Sequence, residues 1–182
     1  MTSIVSVPST QERILRSAVE NFSQKGYNGT SVRHITTSSN ITKPTLYYYY
    51  KTKEDLYLDV AKRSFDQVLG RLKKSLIGGK SAPERLTEFV NNYFKLCDEQ
   101  ASTMRFLYLI SLFKEDGVPD IGKCLLKDMT VMIDEILALE EDKRDISYIA
   151  NALCHFKMAN LMHKTNFQVE LPLVQKIIES LF

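Results

Sequence analysis

The chain has 182 residues, 44% apolar and 25% charged, a composition that excludes global disorder and fits one globular domain or two small ones. Twenty-four Lys and Arg against 22 Asp and Glu leave a net charge of +2, which by itself points to no class of partner. Cys97, Cys124 and Cys154 are odd in number and form no CxxC pair, which argues against a disulfide framework or zinc ribbon and for a reducing compartment. Met1 to Thr10 lacks the basic and apolar regions of a signal peptide. The longest apolar stretch, Phe106 to Phe113, falls far short of the roughly 20 residues of a membrane helix. A cytoplasmic protein is expected.

Helical punctuation runs the length of the chain. Ser9-Thr10-Gln11-Glu12 fits a capping box, and Ile14, Leu15, Ala18, Val19 and Phe22 follow at helical spacing up to Gly26. A first helix is predicted from about Thr10 to Lys25. Asn28-Gly29 makes a turn, and Thr30 is the predicted cap of a short helix from Ser31 to about Ser38. Asn40 tolerates a left-handed backbone and ends that helix. Thr42 then caps a third helix with Pro44 in its first turn, ending near Tyr48 or Tyr49. Thr52-Lys53-Glu54-Asp55 opens a long helix to about Ile77, stopped by Gly78-Gly79. Further helices are predicted over 82–98, 102–114, 120–139, 142–164 and 170–182. No alternating strand pattern or repeat occurs. The fold class expected is all-α with about nine helices.

Charge is unevenly placed. Residues 8–51 hold six bases and two acids, net +4, whereas the remainder holds 18 bases and 20 acids. A basic head on a slightly acidic body suits nucleic-acid binding. Within the head, TSVRHITTSSNITKPTLYYYYK over residues 30–51 reads as helix, tight turn, helix. The second helix of such a unit enters a major groove roughly 12 Å wide, so its N-terminal end must be small or polar. Thr42, Lys43, Pro44 and Thr45 supply that end. Lys43 suits guanine O6 and N7, and Pro44 and Thr45 suit apolar contact with bases. Tyr47, Tyr48, Lys51 and Lys53 are candidate phosphate contacts, as are Ser31 and Arg33. Four successive tyrosines cannot share one helix face at about 100° per residue. Tyr47 and Tyr48 are assigned outward, and Leu46, Tyr49 and Tyr50 more inward.

Gly26-Tyr27, Thr30 to Ile35 and Ile41 to Leu56 closely resemble the DNA-binding domain of the tetracycline-repressor (TetR) family. The resemblance covers about Thr10 to Lys62. Asn40 stands where the family usually has Gly, Tyr50 where it has Phe, and Thr36 and Ser39 where Ala is common. It implies a helix-turn-helix domain over residues 1–52 and a larger helical ligand-binding and dimerisation domain over 53–182. It further implies a homodimeric regulator, most often a repressor, released from a palindromic DNA operator by a small molecule, with the helix from Lys53 as the lever.

In that family the last two long helices form the dimer interface, which here places Ile149, Leu153, Leu161, Val174, Ile177 and Ile178 at the contact; periodicity alone allows them to serve the intrachain core instead. Tyr93, Cys97, Phe106, Met129, Met132 and Phe156 are candidate effector contacts, and their aromatic and soft apolar character suits a hydrophobic ligand. The same spacing also fits plain core. His34, His155 and His163 form no HExxH, and no GxSxG, GxGxxG or P-loop occurs. No enzyme, metal or cofactor is therefore expected. A thiol-based redox sensor using Cys97, Cys124 or Cys154 would need a partly exposed, low-pKa cysteine. A helical adaptor without DNA binding would leave the basic head unexplained.

Overall fold

A computed structural model describes residues 8–77, 80–112, 125–138, 140, 143–163 and 171–182. Among the described residues the structure is all-α. The helices are α1 (Thr10–Gly29), α2 (Val32–Ser39), α3 (Lys43–Tyr49), α4 (Lys53–Leu72), α5 (Ala82–Glu99), α6 (Ala101–Leu112), α7 (Leu125–Ile136), α8 (Lys143–His163) and α9 (Leu171–Glu179). A 3-10 turn, Lys73–Leu76, prolongs α4. The helix predicted from Asp120 is described only from Leu125, and its start, the Asp142 cap and Cys124 lie outside the described residues.

Local chemistry sets the helix starts. The Ser9 side chain accepts from the Glu12 N–H at 3.2 Å while the Glu12 carboxylate accepts the Ser9 N–H at 2.7 Å, satisfying two orphan donors. Those contacts hold the Glu12 carboxyl below its usual pKa. Thr52 and Asp55 make the same reciprocal pair at 3.0 Å in each direction. Gly26 has φ 68° and interrupts α1, a conformation that costs glycine little and other residues more. The cap of α2 is Ser31 rather than Thr30. Thr30 instead turns inward and donates to the Gly26 carbonyl at 2.8 Å. Asn40 adopts φ 52° and ψ 54°, and the following Ile41 N–H bonds back to the Thr36 carbonyl at 3.0 Å. The two polar departures in α2 cost no unmade bonds, since Thr36 donates to the Arg33 carbonyl at 3.1 Å and Ser39 to the Ile35 carbonyl at 2.6 Å.

Ile14, Ala18 and Phe22 of α1, Ile35 of α2 and Leu46 of α3 are wholly or almost wholly buried and form the core of the first three helices. That core continues into the rest of the chain. Phe22 stacks on Phe106 of α6 at 6.1 Å, and Tyr57 of α4 meets both rings edge-on at 5.1 and 5.5 Å. Each such pair contributes about 0.5–1.5 kcal/mol beyond burial. α1 packs most extensively against α6, so α4, expected to be the lever, shares the junction with α6. Two arginines tie the later helices together at their C-termini. Arg85 donates to the Ile136 carbonyl at the end of α7, and Arg105 to the Leu161 and Met162 carbonyls at the end of α8, each at 3.0 Å. A guanidinium there satisfies orphan carbonyls and complements the helix dipole. No described helix is long and apolar enough to cross a membrane.

Candidate nucleic-acid interface

The N-terminal end of α3 is exposed and shaped by its cap. Thr42 Oγ1 accepts the Thr45 N–H at 3.3 Å and pairs with the Thr45 hydroxyl at 2.8 Å. Lys43 and Pro44 occupy the first turn between them, both exposed. This turn offers hydroxyls, an ammonium and a small apolar ring with no bulky side chain to hold a groove wall away. Leu46, one turn on, is fully buried and pins the helix from beneath.

The tyrosines divide by exposure. Tyr48 is 84% exposed, Tyr47 48% and Tyr49 39%, while Tyr50 is 6% exposed. Tyr49 was expected more inward; it lies at the surface, edge-on to Tyr48 at 5.2 Å. Tyr50 caps the helix, and its hydroxyl donates to Asp59 at 2.8 Å and accepts from Gln11 at 3.4 Å. Burial, the largest cause, pushes the Tyr50 phenol up to about 12, so it is a neutral donor.

On α2, Ser31 and Arg33 are both exposed. Ser31 Oγ accepts the His34 N–H at 3.2 Å, and the Ser31 N–H donates to His34 Nδ1 at 3.3 Å. That bond occupies Nδ1 and leaves Nε2 as the second polar atom of an exposed ring. His34 is thus a further polar group on this surface. Its signal in the sequence was the S-x-x-H spacing, which the usual S-x-x-E pattern obscures. Arg33, Lys43 and Lys51 are exposed and make no ion pair with a described residue.

Lys53 is different. Its ammonium donates to the Tyr27 carbonyl at 2.9 Å and the Thr30 carbonyl at 3.1 Å, and sits 4.0 Å from the Tyr27 ring centroid. Two of its three N–H groups are therefore committed, so Lys53 staples the end of α1 to the start of α4 rather than offering a free cation to phosphate.

The expected dimer residues also divide. Val174 and Ile178 are fully buried in the chain's own core and have no area left for a partner. Ile149, Leu153, Leu161 and Ile177 keep partial exposure. Beside them the outer faces of α8 and α9 expose Tyr148 (77%), Phe156 (42%), Leu173 (54%) and, just beyond α9, Phe182 (45%). Phe156, expected against an effector, stands on this outer face rather than inside.

Tyr93, Cys97, Phe106, Met129 and Met132 are buried. The buried Tyr93 hydroxyl finds no oxygen or nitrogen partner among the described residues and lies against the Cys97 thiol, a weak partner. Burial pushes the Cys97 thiol up to about 12 and moves Cys154 upward as well, the reverse of a reactive thiol. A cleft of about 690 Å³ opens elsewhere, where α1 and α4 meet the α5–α6 corner, with Arg16, Val19, Arg63 and Gln100 in its walls. Sequence periodicity gave no sign of it, because it is built by four elements. Among the described residues no group of three or more His, Cys, Asp or Glu is placed to hold a metal.

Residues 14–60 match the profile of bacterial regulatory proteins of the tetR family. A probable HTH-type transcriptional regulator of Bacillus subtilis, YttP, is 27% identical over 150 residues, covering 81% of this chain and 72% of that protein. A TetR-like transcriptional regulator from Rhodococcus sp. RHA1 superposes with a TM-score of 0.71 at 22% identity, covering 97% of this chain and 96% of the other. FadR of Bacillus subtilis, solved in complex with stearoyl-CoA, superposes with a TM-score of 0.66 at 19% identity over 93% and 95% of the two chains. The matched profile covers α2, α3 and the turn between them, whose exposed cap is described above, so residues 14–60 are similar to the DNA-binding domain of tetR-family regulatory proteins and the rest of the chain shares the fold of such regulators.

Proposed function

We propose that the chain is a homodimeric repressor whose two α3 helices read half-sites of a palindromic operator and whose effector releases it. The observation that carries the DNA-reading part is the small, polar, exposed first turn of α3, held by the Thr42 cap over the buried Leu46. In this reading Lys43, Pro44 and Thr45 face bases, while Ser31, Arg33, Thr42, Tyr47, Tyr48 and Lys51 face phosphates and sugars. Residues 1–52 form the reading unit, and 53–182 the effector and dimerisation unit.

Dimerisation is assigned to the outer faces of α8 and α9. Tyr148, Phe156 and Leu173 are large apolar groups exposed in the single chain, and a second copy would bury them against their own equivalents. The effector is assigned to the later helices and to the hydrophobic class. FadR, with the same fold, holds stearoyl-CoA, and here Tyr93, Met129 and Met132 lie in an apolar core among the later helices. A thiol is a weak hydrogen-bond partner for a buried hydroxyl, and a polar group of the effector bonding to Tyr93 would improve on the Cys97 contact. An effector releases DNA only through its different affinity for the two arrangements of the α3 helices. The aromatic junction of Phe22, Tyr57 and Phe106 is the contact through which it would act.

The test is selection of tight binders from a randomised duplex pool, followed by binding of the winner at several salt concentrations. A palindrome bound by a dimer is expected. With 6–10 phosphate contacts, affinity should fall about 10³- to 10⁵-fold between 50 and 200 mM salt. No enriched duplex, or binding indifferent to salt, contradicts the reading.

A further inference from the structure

The last residue of the recognition turn is held from two other helices. Tyr50 directly follows α3, and its N–H bonds to the Leu46 carbonyl at 2.9 Å. Its hydroxyl leaves α3 altogether. It donates to Asp59 Oδ2 on α4 at 2.8 Å and accepts from Gln11 Nε2 on α1 at 3.4 Å. Arg63, one turn further along α4, places its Nε 2.8 and 2.9 Å from the two oxygens of the same carboxylate, which fixes the Asp59 rotamer. The ring is 6% exposed and Asp59 only partly exposed, so water competes weakly for the bond between them. A phenylalanine ring would fill the same space and keep the backbone bond but make neither of the hydroxyl bonds.

We propose that the Tyr50–Asp59 hydrogen bond is a clamp that sets the orientation of α3 on α4, with Asp59 a positioning residue for DNA recognition and Arg63 the group that holds it in place. Tyr47, Tyr48 and Tyr49 ride on the same short helix, so a small rotation about its buried Leu46 moves every groove-facing group at once. The clamp opposes that rotation at the end of the helix opposite the Thr42 cap. A displacement of α4 is transmitted to α3 through this bond as well as through packing. This inference rests on the DNA-reading assignment of α3 for its consequence, but the clamp itself is a property of the free chain.

The experiment compares wild type with Tyr50→Phe, Asp59→Ala, Asp59→Asn and the Tyr50→Phe/Asp59→Ala double variant in the full chain. Affinity for the selected duplex and amide hydrogen exchange over residues 43–49 are both measured. Loss of one hydrogen bond to a charged acceptor should weaken binding about tenfold in Tyr50→Phe and in Asp59→Ala. The double variant should be no weaker than the weaker single one. Asn keeps one carbonyl acceptor for Tyr50 but turns an N–H2 group toward Arg63, so Asp59→Asn should fall between wild type and Asp59→Ala. Exchange in α3 should quicken in Tyr50→Phe and Asp59→Ala and less in Asp59→Asn, while α5 stays unchanged. Wild-type affinity and exchange in Tyr50→Phe, or additive losses in the double variant, would overturn the clamp. If wild type binds no duplex, the DNA-reading assignment fails on its own, and the exchange pattern still decides for or against the clamp.

Discussion

Two exposed surfaces of this chain are built from opposite chemistry. The outer side of α2 and α3 presents hydroxyls, Lys43, Arg33 and tyrosine edges, with Ser31 and Thr42 serving as the caps of the two helices. The outer side of α8 and α9 presents Tyr148, Phe156, Leu173 and Phe182. A polyanion with ordered water in its grooves rewards donors and cations. A second copy of the chain rewards apolar area that leaves water together. On the proposed reading the two surfaces address two kinds of partner, and substitutions in one should leave the other intact.

The hardest way to break that separation is to attack the junction between the two regions. Phe22→Ala removes a ring that is 1% exposed and touches Tyr27, Tyr57 and Phe106, and should cost about 3–5 kcal/mol. Denaturant unfolding followed by circular dichroism checks this, and one cooperative transition shifted as a whole is expected. A transition that splits in two would show the regions to be independent instead.

The apolar surface is tested next. Phe156→Asp or Leu173→Asp places a carboxylate on the outer face without touching the core. Sedimentation should then show monomers in place of dimers, with helix content retained. A dimer that survives both changes would remove α8 and α9 from the interface.

Smaller effects sharpen the account of the head. Thr52→Ala removes the cap that opens α4 and should cost about 0.5–2 kcal/mol by thermal unfolding. The thiols act only at alkaline pH. With its folded pKa raised to about 12, Cys97 stays protonated while the unfolded thiol ionises near about 8.5. The unfolded state then binds fewer protons, so stability is unaffected below about pH 8.5 and declines as pH rises above it. A denaturation series from pH 7 to 10 reads that slope. Native protein should also leave Cys97 and Cys154 unlabelled by a thiol reagent until it unfolds.

What the sequence made legible follows from how local each feature is. The Asn40 turn, the Thr42 and Thr52 caps and the burial of Leu46 depend on neighbours within four residues, and all could be read from spacing. The role of Lys53 depends on carbonyls more than twenty residues away, and that of the Tyr50 hydroxyl on α1 and α4. No periodicity encodes these. The last helix shows the same limit in another form. Leu173 and Val174 are adjacent and both aliphatic, yet one is 54% exposed and the other fully buried. A helix that is apolar on both sides does not declare which side meets its own core. The cleft at the α5–α6 corner escaped notice because its walls come from separate stretches of chain.

The central claim is that the first turn of α3 reads bases, and Lys43→Ala tests it most directly. Fluorescence anisotropy on the selected duplex, with thermal unfolding run alongside, gives both quantities needed. The Lys43 side chain is exposed and makes no hydrogen bond or ion pair among the described residues, so the melting temperature should not move. One lost base contact of about 1–3 kcal/mol should weaken operator binding about 5- to 150-fold, with a smaller loss on a duplex changed at the contacted guanine. Unchanged affinity and unchanged sequence preference would contradict the account.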